Sequence, residues 1–197
     1  MVLTGSPYAG NGTPGGPERM APVTKIVIGC VFAFGALRFN GFDLLLDPVG
    51  WALCVSGLSQ LQRSADDSFA RARSAAIVMV VASLVAMVPS GAHPSDAPMD
   101  FSVKHTIGTF GTAGALITIW LVADAVIRRI RPHGETSRAA LLDVLRWAVV
   151  ALGALGLLTA YGYADLGFVT PIAWFTALVA LIVVLYRSAR LPCLSPA

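Results

Sequence analysis

The residues best equipped for chemistry stand between positions 38 and 51. They read Arg38-Phe39-Asn40-Gly41-Phe42-Asp43-Leu44-Leu45-Leu46-Asp47-Pro48-Val49-Gly50-Trp51. One guanidinium and two carboxylates fall within ten positions, and Asn40-Gly41 between them signals a turn. The residue before a proline is pushed out of the α region, while proline suits the first helical turn. Asp47 therefore reads as an N-cap and Pro48 as the first residue of a helix. The Asp47 carboxylate would accept orphan N–H groups and face the positive end of the helix dipole. Arg38 can pair with Asp43 or Asp47 across the turn. Two readings follow. The stretch is an ion-paired cap on a helical hairpin, or it is a site in which Arg38, Asn40, Asp43, Asp47 and Trp51 bind a substrate. A carboxylic acid against aromatic walls can act as a general acid when burial raises its pKa. Asp43, Asp47 and Asp165 are the catalytic candidates on that ground, with Phe39, Phe42, Trp51, Tyr161 and Tyr163 as walls.

This stretch, with Gly57-Leu58 after it, resembles a motif of small uncharacterised multi-pass bacterial membrane proteins. Their pattern runs roughly Asn-x-x-Asp-x-Leu-Pro-Asp-x-Ile/Val-Gly, followed by a short apolar helix. Here Leu46 occupies the place where that family often has proline. The resemblance spans about a tenth of the chain. It implies a bacterial membrane protein and brings no activity with it.

Other polar residues are fewer. Asp124 lies inside an apolar run with Arg128 four positions on, the spacing at which helical side chains meet. An intramembrane acid also raises the question of a proton or cation relay. The segment from Ser90 to His105 reads as a loop holding His93, Asp96, Asp100, Lys104 and His105. Its spacings match no metal-ligand pattern, and we expect no metal and no cofactor. Cys30 and Cys54 sit in apolar runs and read as small hydrophobes. With Cys193 on a polar tail, no structural disulfide is expected. The phosphate-binding, dinucleotide-binding, serine-hydrolase and zinc-protease motifs are absent from the sequence.

The elements that must position these residues follow from composition. Of 197 residues, 56% are hydrophobic and 13% charged, with mean hydropathy +0.73. Soluble proteins carry about 25% charged residues. The net charge of +3 and pI near 9.0 do not indicate a nucleic-acid binder, because the basic residues flank apolar runs instead of clustering among aromatics. Residues 1–21 are rich in Gly and Pro and read as a disordered tail, with no basic start or apolar stretch of a signal peptide.

Six continuous apolar segments follow, near 22–39, 48–61, 74–89, 106–127, 145–161 and 169–186. A spanning helix needs about 20 residues, and unalternating apolar runs exclude barrel strands. The predicted fold is all-α: a bundle of about six transmembrane helices over residues 22–188, with a short tail at 189–197. The first two segments are short, so a re-entrant hairpin is the alternative to two full spans. Twelve of the 14 Lys and Arg residues fall on one side of this topology, leaving only Arg38 and Lys104 opposite. That places both termini in the cytoplasm of a cell-membrane protein. Small residues such as Gly50 and Cys54, or Gly156 and Ala160, allow close helix contact, within one chain or in a homo-oligomer.

Three functions are open at this stage. The first is a small permease or an accessory subunit of a membrane complex, with the bilayer and a membrane partner as its contacts. The second is an intramembrane, terpene-cyclase-like enzyme acting on a lipid or isoprenoid through the membrane-face carboxylates. The third is an immunity or interaction protein.

Overall fold

The computed structural model describes residues 20–34, 46–62, 67–87, 99–160, 167–189 and 191, with backbone alone at 46, 99–107 and 160. The described residues form six α-helices and no strand. They are α1 (Pro22–Phe34), α2 (Leu46–Leu61), α3 (Ser68–Met87), α4 (Met99–Ile130), α5 (Thr136–Ala160) and α6 (Val169–Ser188). Consecutive helices are neighbours in space, and α1 also packs on α6. The chain is thus an all-α bundle in which each helix touches the next and the last returns to the first.

Four helices are long and apolar enough to cross a membrane: α3, α5, α6 and the Gly108–His133 part of the α4 segment. The other two are shorter, 13 residues in α1 and 16 in α2. At 1.5 Å per residue these rise about 20 and 24 Å, below the ~30 Å hydrocarbon thickness. They form a close hairpin whose connection, 35–45, lies outside the described residues.

Three helices begin earlier than hydropathy indicates. α3 starts at Ser68, so Arg71 and Arg73 are helical. α4 starts at Met99, so Asp100, Lys104 and His105 lie on its first turns and not in a loop. α5 starts at Thr136, placing Arg138 and Arg146 on a helix rather than in the connection before it. The reason is common to all three: hydropathy locates the part of a helix that lies in lipid, and charged helix formers continue it beyond. Between α4 and α5 only a single 3-10 turn, Arg131–His133, remains. It closes on Gly134, whose positive φ of 84° is readily adopted only without a Cβ.

The helix faces are sorted for a lipid surround. In α3, Phe69, Ala72, Ala76 and Met79 point inward while Ile77, Val78, Val81, Leu84 and Val85 point outward. The two inward alanines permit close helix approach, and the bulky aliphatics outside suit an apolar solvent. The hydroxyls follow the same rule. Thr112, Thr118, Thr159, Thr176 and Ser188 each donate to the carbonyl four residues back, at 2.8–3.0 Å. A hydroxyl so satisfied needs no water.

The closest packing is between α1 and α2. A Cβ placed on Gly29 would stand 2.5 Å from the Gly50 carbonyl oxygen and 2.6 Å from Cys54 Sγ. One on Gly50 would meet Ala33 N and the Gly29 carbonyl at 2.7 Å, and one on Gly57 the Pro22 carbonyl at 2.6 Å. The two backbones therefore touch along the whole antiparallel seam. Cys30 and Cys54 lie in it as buried free thiols with Sγ atoms 3.9 Å apart. The Cys54 thiol donates to the Ile26 carbonyl at 3.5 Å.

Candidate functional site

Of the residues singled out around the 38–51 turn, Arg38, Asn40 and Asp43 lie outside the described residues, as does Asp165. Two can be placed. Asp47 is exposed in the first turn of α2. The helix begins at Leu46, so Asp47 is a first-turn acid rather than the cap ahead of it; its carboxylate still lies at the positive end of the dipole. Trp51 is only 3% exposed and belongs to the core. Its ring meets Phe34 edge-on at 5.7 Å, and Phe34 meets Trp174 of α6 at 6.1 Å. This aromatic run joins α2, α1 and α6 at the end of the bundle where the 35–45 connection leaves α1.

The charged groups the structure brings together are at the opposite end. Asp124, near the end of α4, accepts from two arginines. Arg128 Nε donates to Oδ2 at 2.7 Å, as the four-residue spacing predicts. Arg146 Nη1 reaches across from α5 to Oδ1 at 2.7 Å. Arg146 Nη2 also pairs with Asp143 Oδ1 at 2.6 Å. The Arg146 guanidinium stacks over the Trp120 ring, 4.2 Å from its centroid, and Trp147 packs against Trp120 edge-on at 4.3 Å. Arg146 and Asp124 side chains are 14% and 21% exposed, so water screens this pair poorly.

Sequence reasoning counted Arg146 among loop cations and missed this contact. The signal was present in the spacing. Ala139, Leu142 and Val149 are buried, and with position 146 they repeat at intervals of three, four and three. Such a stripe is one helix face, and Arg146 is its single charged member. A basic side chain on the packed face needs an acid on the neighbouring helix.

A second polar set ties α2, α3 and α4 together at this same end. Asp67 Oδ1 accepts from the Phe69 backbone N–H at 3.4 Å and from the Ser68 hydroxyl at 3.3 Å, capping α3. Its Oδ2 lies 3.8 Å from Arg129 Nη1. The Arg129 guanidinium sits 5.7 Å above the Phe69 ring. Arg73 donates to Gln62 Oε1 at 3.3 Å. Among the described residues, no three His, Cys, Asp or Glu side chains form a group that could hold a metal.

Chemically, the described groups around Asp124 form a set of locked ion pairs. Asp124 holds two cations and Arg146 holds two anions.

Comparison with protein-family models, curated proteins and solved structures gives no match.

The arginine-rich end is built from the starts of α3 and α5 and the ends of α4 and α6, carrying Arg71, Arg73, Arg128, Arg129, Arg131, Arg138, Arg146 and Arg187. Four acids, Asp67, Asp124, Glu135 and Asp143, stand among them.

Proposed function

We propose that this chain is a helical protein of a bacterial cell membrane that works as an accessory subunit of a membrane complex, with both termini in the cytoplasm. The observation that carries the reading is that, among the described residues, the largely covered Asp124 and Arg146 are spent on one another. Asp124 of α4 and Arg146 of α5 bind helix to helix, and Asp143 holds Arg146 from the same helix. A permease would carry polar groups in position to exchange partners with a solute. An enzyme would hold an acid or base out of such pairing. The arginine-bearing end supports the cytoplasmic assignment through the positive-inside rule. The outward aliphatics of α3 and α6 support insertion in lipid. The segment carrying Arg38, Asn40, Asp43 and Asp47 is proposed as a polar contact surface at the other membrane face.

Reconstitution tests the reading. The full chain is placed in liposomes enclosing a pH-sensitive dye, and proton and cation gradients are applied. The expected result is dissipation no faster than in protein-free liposomes. Flux that is lost in Asp124→Asn would overturn the proposal in favour of a permease.

A further inference from the structure

We propose a binding site for one anionic phospholipid in the groove between the start of α5 and the end of α6. The groove has a volume of about 370 Å³ and is lined by Arg138, Val183, Tyr186 and Arg187. That lies within the range of small-molecule clefts, about 300–1,000 Å³. Two arginines and a phenol converge there from two different helices. Arg138 Nε lies 3.5 Å from Glu135 Oε2. Its terminal nitrogens make no bond to another described residue. Arg187 has no ion-pair partner among the described residues. A guanidinium presents a fork of N–H donors matched to phosphate oxygens, and the Tyr186 hydroxyl adds one more donor. The groove also lies beside the first turn of α5, whose dipole favours an anion. Among the described residues, Glu135 is the acid paired with these two cations, through Arg138 alone.

The occupant is a lipid and not a free phosphate because of what continues from the groove. Val183, Val179, Phe175 and Ile172 lie exposed along one side of α6, at intervals of four, four and three. From 183 to 172 this stripe rises about 16 Å. One leaflet of the hydrocarbon core is about 15 Å deep. A phosphate held by Arg138 and Arg187 would therefore send an acyl chain along an apolar strip one leaflet long. Basic pockets between helices on the cytoplasmic side suit anionic headgroups for the same reason.

The site rests on the chain being embedded in a membrane, and its test separates the two claims. Full-length protein in non-ionic detergent, freed of lipid, is titrated by native mass spectrometry with phosphatidylglycerol, phosphatidylcholine and inorganic phosphate. Phosphatidylglycerol should be retained in preference to phosphatidylcholine, and equimolar inorganic phosphate should not displace it. Arg138→Gln with Arg187→Gln should weaken phosphatidylglycerol roughly thirtyfold, the effect of losing two basic contacts at an anionic surface. Phosphatidylcholine binding should not change. Val183→Trp keeps both charges but fills the groove, and should weaken phosphatidylglycerol too. It decides the matter by itself if the double variant fails to fold. Removing two exposed arginines elsewhere, by Arg71→Gln with Arg131→Gln, should leave the preference intact. The proposal is overturned if the groove variants keep the preference, if the Arg71 and Arg131 variant loses it equally, or if inorganic phosphate displaces the lipid. A chain recovered in the soluble fraction would defeat the membrane reading itself.

Discussion

Between α1 and α2 the backbones touch across Gly29, Gly50 and Gly57, whereas α4 and α5 meet at the arginine-rich end through Asp124 and Arg146, each of which has a second partner. The seam depends on the absence of side chains and has no slack. An added methyl group would strike backbone atoms, which move only if a whole helix moves. The charged end has spare interactions. When Asp124 is lost, Arg146 keeps Asp143; when Arg146 is lost, Asp124 keeps Arg128. Small changes in the first region should therefore cost more than apparently drastic changes in the second.

The largest effect is expected from Gly50→Val. Its Cβ would meet Ala33 N and the Gly29 carbonyl at 2.7 Å, and β-branching adds bulk at the same place. Overpacking costs about 1–3 kcal/mol where side chains can adjust; backbone contacts put this variant at about 3 kcal/mol or more. Chemical unfolding in detergent, or loss of membrane-integrated protein, reads it.

Next come Asp124→Asn and Arg146→Gln. Breaking a fully buried pair costs about 3–5 kcal/mol, but the second partners and partial exposure lower this to about 1.5–3 kcal/mol each, the range of one charged hydrogen bond. Because they share one network, the double variant should cost less than the two single costs added together. Strict additivity, measured by the same unfolding assay, would show that the two residues do not interact.

Gly111→Ala and Gly156→Ala should be neutral or slightly stabilising. Among the described residues, nothing lies within 4 Å of a Cβ at either position, and glycine inside a helix is worse than alanine by about 0.5–1 kcal/mol. A rise in the unfolding midpoint is expected. If either substitution instead changed the mass measured by light scattering, that open face would be a contact with a second copy.

The smallest effect belongs to Asp47. As a first-turn acid it should contribute about 0.3–1 kcal/mol through the dipole. Asp47→Ala should lower the midpoint slightly, and Asp47→Asn should retain less of the dipole contribution than a cap would.

These contrasts also mark how far the amino-acid sequence could be read. The helical membrane bundle was legible, because a long unalternating apolar run has few alternatives in lipid. The Asp124–Arg128 pair was legible, being local to one helix. The Arg146–Asp124 pair was not, because it depends on how α5 is rotated against α4, and hydropathy had already assigned Arg146 to a connection. Trp51 reads in the sequence as a wall of a site at the membrane face; packing against Phe34 takes it inside. The glycines are the plainest case. Gly29 and Gly111 are each a glycine in an apolar run. Only the neighbouring helix distinguishes a residue that must lack a side chain from one that merely does. The turn from Arg38 to Asp43, on which most of the candidate chemistry rested, lies outside the described residues.

The central claim is that shape without slack governs the α1–α2 seam, and the most direct measurement is the unfolding midpoint of Gly29→Ala beside that of Gly111→Ala under one set of conditions. The same single methyl group is added to a helical glycine in both. The account predicts a clear fall for Gly29→Ala, whose Cβ would lie 2.5 Å from a carbonyl oxygen, and no fall for Gly111→Ala. Equal midpoints for the two variants would contradict it.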